Sequence, residues 1–199
     1  MKLKIVEFVS LFSCIGILIW MTSYFYGGLF IWLISYWYII LPLCLIYFIS
    51  LINLIIRLVR FGYNSNKINF YFHSTIILCI VLLNLSTSEL FKSKIILSST
   101  LKDDLFSYQL KLRENGNCDL YSYGFMGFEK TYFGKYKIIN DTIIFSKIPY
   151  DKPNFIPNKI LIDQKQKAIF IEKNSDGMFN KEKNYMNYFE FDNINKLID

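Results

Sequence analysis

Residues 8–56 read FVSLFSCIGILIWMTSYFYGGLFIWLISYWYIILPLCLIYFISLINLII, and this stretch decides the fold of the N-terminal part. It contains no charged residue: the nearest charges are Glu7 before it and Arg57 after it. An α-helix needs about 20 apolar residues to cross the hydrocarbon core of a bilayer. The stretch is therefore long enough for two spans, and the Gly27-Gly28 pair supplies a turn between them.

A second uncharged stretch lies between Lys67 and Glu89 and predicts a third span. We place the three spans at residues 8–25, 29–56 and 68–88. The second span is longer than the bilayer core requires, so we expect it to tilt or to kink at Pro42. The predicted organisation is a transmembrane domain over residues 1–88 and a soluble domain over residues 89–199.

The net charge of +6 is concentrated around the predicted spans. Lys2 and Lys4 precede the first span, and Arg57, Arg60 and Lys67 follow the second. Basic residues beside spans favour the cytoplasmic side, so this excess is a topology signal and does not indicate a nucleic-acid partner. The frequent Ile, Lys, Asn, Phe and Tyr residues suit an AT-rich bacterial genome. We therefore predict a multi-pass protein of the bacterial inner membrane, with its soluble domain extracytoplasmic if the third span crosses.

The C-terminal half changes from long apolar runs to alternation, which begins with FSYQLKLR at residues 106–113. Alternating apolar and polar residues indicate a half-buried strand, and the following Asn115-Gly116 is a strong hairpin signal. The predicted strands are residues 95–100, 106–113, 118–125, 130–139, 142–146, 159–163, 168–173 and 185–192. Eight short strands joined by turns favour an all-β antiparallel meander, closed like a barrel. Its predicted inward residues are large, so we expect a packed interior.

Residues 148–158 form the candidate binding segment, because they hold three of the four prolines and are longer than a hairpin requires. Stiffened loops often carry binding residues. We select Tyr150, Asp151 and Phe155 as ligand-binding candidates. The alternative is a plain structural connection across the end of the barrel.

The residue types and spacings indicate no catalytic, metal or cofactor site. The chain has no Gly-x-Ser-x-Gly, no glycine-rich phosphate loop, and no Cys-x-x-Cys or neighbouring Cys/His pair. His73 is the single histidine, and an ionisable residue within a span is a functional candidate by default. Its position one turn inside the predicted third span favours an interfacial histidine as the simpler interpretation. We therefore expect a protein without enzymatic activity.

Residues 133–136 (FGKY) and 140–145 (NDTIIF) resemble the strand–turn–strand of small lipocalin-like domains in bacterial envelope proteins. Spans followed by a small β-barrel are also similar to the membrane-anchored effectors of CBASS antiphage systems. We predict that the β domain binds a protein or small ligand at the membrane, with membrane lipid as the other partner. The second resemblance implies the alternative, a membrane-disrupting effector with a cytoplasmic, nucleotide-sensing barrel.

Overall fold

The computed structural model describes residues 5–150 and 155–194, without the side chains of Phe25, Tyr26, Ser86, Thr87, Asn193 and Ile194. Within it the chain divides into two compact units, Met1–Lys92 and Ser93–Asp199. The first is helical and the second is built from β-strands.

The helical unit contains α1 (Ile5–Thr22), α2 (Leu29–Ser35), α3 (Trp37–Phe61) and α4 (Lys67–Thr87). The segments long and apolar enough to cross a membrane are Ile5–Thr22, Trp37–Phe61 and Lys67–Leu85, with mean hydropathies of 2.0, 2.7 and 1.8. Few of their residues are buried within the protein, between 17% and 22% of each segment. In α3, for example, Leu45 is 62% and Ile49 66% exposed. Helices that are apolar on all sides suit a lipid environment. The three predicted spans are confirmed, and the chain is a membrane protein.

The stretch predicted as one long second span is interrupted at Tyr36, which separates α2 from α3. The backbone of Tyr36 leaves the helical region at φ −126° and ψ 29°. Its carbonyl oxygen then accepts bonds from the amides of Ile39 and Ile40, both at 2.9 Å, which start the new helix. We expected a kink at Pro42, but Pro42 lies inside α3. The helix is interrupted six residues before it, at Tyr36.

The spans pack on each other through faces that follow the helical period. The buried residues of α1 are Ser10, Ser13, Cys14 and Ile17, and those of α3 are Ile40, Tyr47, Ser50 and Leu54. On α4 the buried residues include Asn69, His73 and Ile76. Spacings of three and four residues place each set on one side of its helix. Several of these inward residues are polar, in helices that are otherwise apolar.

The second unit is a closed barrel of eight antiparallel strands, each paired with the next, with β8 returning to β1. The strands are β1 (Ile95–Lys102), β2 (Phe106–Arg113), β3 (Asn117–Gly124), β4 (Phe128–Ile139), β5 (Thr142–Lys147), β6 (Lys159–Asp163), β7 (Ala168–Phe170) and β8 (Tyr188–Ile194). Ser99 pairs with Phe191 and Thr100 with Glu190, which closes the sheet on itself. The predicted meander, its closure and its eight strands are confirmed.

The two ends of the barrel differ in their connections. Residues 114–116, 140–141 and 164–167 form tight polar turns at one end, which we call the short-turn end. The described parts of the other connections are residues 103–105, 125–127, 148–150, 155–158 and 171–187, and they lie at the opposite, long-loop end. An up-and-down barrel places alternate connections at opposite ends. Loops on a rigid scaffold often carry function, so the long-loop end is the place to look for a site.

The predicted last two strands are shorter than expected, because residues 171–187 fold as an irregular connection instead. The side chain of Asn187, which is fully buried, organises it. Its Nδ2 donates to the carbonyl oxygens of Asn180 at 3.1 Å and Glu182 at 2.7 Å, and its Oδ1 accepts from the Glu172 amide at 3.0 Å. These bonds take the place of ladder hydrogen bonds, so β7 ends at Phe170.

Candidate functional site

The barrel interior is filled by side chains and leaves the ends and the outer wall as places for binding. Its buried residues are Leu97, Leu101, Tyr108, Leu110, Leu112, Cys118, Leu120, Tyr136, Ile143, Phe145, Ile156, Ile160, Ile162, Ile169, Ile171 and Phe189. Close packing of this kind is typical of a protein core. Burial raises the pKa of the Cys118 thiol to about 12, so this cysteine stays protonated. The expectation of a packed interior agrees with this arrangement.

Six aromatic side chains close the long-loop end, and we call this group the aromatic plug. Its members are Phe106, Tyr108, Phe128, Tyr132, Tyr150 and Phe155. The ring centroids of Tyr108 and Phe155 are 4.8 Å apart, and those of Tyr150 and Phe155 are 4.6 Å apart. Tyr132 lies 5.0 Å from Tyr150. These separations are those of favourable aromatic pairs, so the plug is a packed unit.

Tyr150 and Phe155, two of the predicted ligand-binding residues, both belong to the aromatic plug. Both side chains are half-buried and pack against the barrel core. Burial raises the pKa of the Tyr108 hydroxyl, and a hydrogen bond with Tyr150 raises it further. Asp151, the third predicted residue, lies outside the described residues. Their part in ligand binding stays a prediction, and their rings already contribute to closing the barrel.

An exposed apolar patch lies beside the plug, and we call it the apolar rim. It consists of Leu105, Phe125 and Met126, which are 63%, 69% and 51% exposed. The pairing of Phe106 with Gly124 brings the residues just beyond each strand end, Leu105 and Phe125, next to each other. Contiguous exposed apolar side chains often occur at interaction surfaces, so the apolar rim is a candidate for one.

No protein-family model, curated protein or solved structure matches the chain. The functional interpretation of the barrel therefore rests on its geometry.

A groove of about 380 Å³ opens in the outer wall of the barrel, between β1, β8 and the 171–187 connection. Lys102 and Lys183 line it together with Glu190 and Asp192. The Asp192 carboxylate already accepts hydrogen bonds from the hydroxyls of Ser98 at 3.0 Å and Thr100 at 2.8 Å. The groove therefore offers a small polar ligand a mixture of two lysines and two carboxylates.

Tyr185, at the mouth of this groove, is oriented by the β1–β2 turn. Its hydroxyl donates to the Asp103 carboxylate, and this bond raises the pKa of Tyr185. The ring is 64% exposed, so its face is open to solvent. Sequence reasoning did not select the groove, because its residues are far apart in the chain and carry no motif.

The structure shows what surrounds His73. Its side chain is only 1% exposed and lies among three spans. Its position at the membrane interface stays a prediction. Although no cysteine and histidine are neighbours in the sequence, Cys14 of α1 approaches His73 of α4 to 3.7 Å. Among the described residues, no three or more His, Cys, Asp and Glu side chains are placed close enough together to hold a metal ion.

Proposed function

We propose that this chain is a multi-pass protein of the bacterial inner membrane, and that its lipocalin-like barrel is a non-enzymatic module that binds a partner protein. The observation that carries the proposal is the apolar rim at the long-loop end. Phe and Met are enriched in protein–protein interfaces, and interface cores exclude charged residues. A filled interior leaves little room for a ligand inside the barrel, which favours recognition on its surface.

The polarity of the two barrel ends supports this choice of surface. At the short-turn end, connections such as Asn140-Asp141 are polar and as short as a hairpin allows. At the long-loop end, Phe125 and Met126 lie in a connection of similar length. Their apolar side chains are exposed to solvent there and do not stabilise the fold. Their exposure is explained if a partner covers them.

Site-specific photo-crosslinking in cells tests the proposal. A photoreactive phenylalanine analogue replaces Leu105, Phe125 or Met126 in the full chain, and Ile139 serves as the control. Ile139 is a matched control because it is apolar and 56% exposed, but lies at the short-turn end. We expect a discrete protein adduct from the rim positions, which Phe125→Asp reduces when the analogue is at Leu105 or Met126. Adducts with lipid only, or equal adducts from Ile139, would contradict the proposal.

A second candidate function is the binding of a small anionic ligand in the wall groove, favoured by Lys102 and Lys183. Replacing both lysines with Gln removes two positive charges and leaves the core untouched. If a small anion is the ligand, this variant fails to replace the native chain in cells, whereas the Phe125→Asp variant still replaces it. The opposite pattern favours the protein partner.

We also propose that the barrel is extracytoplasmic. The basic residues on either side of the first two spans lie on one side of the membrane, which the positive-inside rule assigns to the cytoplasm. A third span that crosses then carries the C-terminus outside. A reporter active only in the periplasm, fused after residue 199, should give signal. Signal from a cytoplasmic reporter instead would favour the antiphage effector, because only a cytoplasmic barrel can sense a cytosolic nucleotide.

A further inference from the structure

A groove of about 480 Å³ opens on the side of the helical unit, between α1 on one side and α2 with the start of α3 on the other. Ile15 and Ile19 belong to the α1 wall, and Trp32, Tyr36 and Ile39 belong to the opposite wall. Pockets for small molecules typically occupy about 300–1,000 Å³. The groove is therefore large enough to hold a ligand.

Packed side chains give the groove its shape. The two walls meet where Gly16 of α1 lies against Leu43 of α3. A Cβ atom at Gly16 would lie 2.5 Å from a terminal carbon of Leu43, so this close approach depends on the glycine. On the opposite wall, the rings of Trp32 and Tyr36 are stacked, with centroids 5.3 Å apart and planes inclined by 29°. The groove is thus preformed.

The groove lies on the surface that the spans present to lipid. Ile15, Ile19 and Ile39 are 49%, 65% and 56% exposed on helices that are long and apolar enough to cross a membrane. Its α1 wall extends from Phe12 to Thr22, which is about 15 Å along a helix. The hydrocarbon core of a bilayer is about 30 Å thick, so one leaflet contributes about 15 Å. The groove therefore matches the depth of the acyl chains of one leaflet.

The lining changes from aromatic to aliphatic along the groove. Trp20 and Trp32 lie at the end near the turn between α1 and α2, and Ile15 and Leu43 lie farther from it. Trp and Tyr side chains are enriched where a membrane meets water, whereas aliphatic side chains suit its interior. A phospholipid has the same order, because its ester groups lie near the interface and its hydrocarbon chains lie below them.

The hydroxyl and indole protons of the lining are already used within the protein. The Thr22 hydroxyl donates to the carbonyl oxygen of Ile19 at 2.7 Å, and the Ser23 hydroxyl donates to that of Trp20 at 2.6 Å. The indole N–H of Trp20 donates to the Leu29 carbonyl oxygen at 3.4 Å. These groups offer no spare proton to a ligand, so the groove is suited to hydrocarbon.

Charge and size select the ligand further. Residues 8–56 contain no charged side chain, so the groove has no group that could pair with a charged ligand. A helix is about 10 Å wide, and a 15 Å length of it occupies roughly 1,200 Å³, more than twice the volume of the groove. A single chain of methylene groups is slender enough to lie between the walls. The bilayer supplies such chains in its phospholipids.

We propose that this groove binds one acyl chain of a phospholipid from the leaflet beside the Gly27-Gly28 turn. The ester end of the chain lies beside Trp32 and Tyr36, and the chain runs past Ile19 toward Phe12. This phospholipid is a bound ligand, distinct from the lipid that surrounds the other faces of the spans. The site belongs to the helical unit alone and does not depend on the proposed partner of the barrel.

Native mass spectrometry of the full chain, purified in a mild detergent, tests the proposal. We expect about one retained phospholipid per chain. Ile15→Trp combined with Ile19→Trp should lose it, because the two indole rings take up space in the groove. Ile49→Trp combined with Ile52→Trp is the matched control and should keep it, since these isoleucines are 66% and 57% exposed and lie outside the groove. No retained phospholipid in the native chain, a dimer without lipid, or equal loss from both variants overturns the proposal.

Photo-crosslinking of the native chain keeps the test decisive if the groove variant fails to fold. The full chain is reconstituted in phosphatidylethanolamine vesicles that contain a phosphatidylcholine with a diazirine on one acyl chain. Mass spectrometry of the peptides then locates the label. We expect labelling at Ile15, Ile19 and Ile39 to exceed labelling at the comparably exposed Ile49 and Ile52. Labelling spread evenly over all five positions, as surrounding lipid alone would give, overturns the proposal.

Discussion

Replacing Phe155 with Ala should destabilise the β domain by about 2 kcal/mol. A fully buried Phe→Ala substitution costs about 3–5 kcal/mol. Phe155 is half-buried, so about half of this range applies, and the lost ring contacts with Tyr108 at 4.8 Å and Tyr150 at 4.6 Å are part of it. For a domain of about 100 residues, each kcal/mol lowers the melting temperature by roughly 4–8 °C. We expect a decrease of roughly 10 °C.

Thermal and urea unfolding of residues 93–199, followed by circular dichroism, measures this effect. Phe125→Ala is the matched control, because it removes the same ring from a position that is 69% exposed. Surface substitutions of this kind change stability by less than about 0.5 kcal/mol. If Phe155→Ala unfolds within about 2 °C of the native domain, the ring does not hold the plug, and the predicted binding role of Phe155 becomes the better explanation for it.

The remaining predictions also concern the β domain. Residues 93–199 should unfold in one cooperative transition with a β-type spectrum, because the barrel has its own core; a chain without a melt would contradict this. Arg113→Ala should cost about 3–5 kcal/mol, since it removes the guanidinium that lies 2.7 Å from the buried Asp119 carboxylate, and exchanging both for Leu should cost much less. The amide of Gln166, followed by the ammonium of Lys181, lowers the pKa of Asp163. Its stabilising contribution is therefore present above the unfolded-state pKa and is lost as the pH falls through the lower folded-state pKa. The stability difference between the native domain and Asp163→Asn should shrink as the pH falls, and a difference that is independent of pH would refute this origin.

The strands were predictable because each strand of the barrel has one face toward the core. In β2, Leu110 and Leu112 are fully buried, and the intervening Lys111 is not. That period of two is visible in the sequence without knowledge of the partners. Closure into a barrel followed from the number of short strands and their tight turns.

The end of the barrel was less predictable, because loop conformations depend on distant contacts. Asn187 was expected within the last strand, but its buried amide bonds the backbone of residues 172, 180 and 182 instead. The apolar rim was not predicted from the sequence, for a related reason. Phe125 was expected to end a strand, and only the pairing of Phe106 with Gly124 shows that it lies beyond the sheet.

The contact between Cys14 and His73 was hidden by distance in the sequence, although a weaker signal for the buried helix faces was present. Cys14 and His73 are contributed by different helices, so no motif spacing joins them. Within each helix, however, the polar residues recur at helical spacing: Ser10 with Cys14, and Asn69 with His73. In an apolar span, polar residues repeated every four positions predict the side that faces other helices rather than lipid.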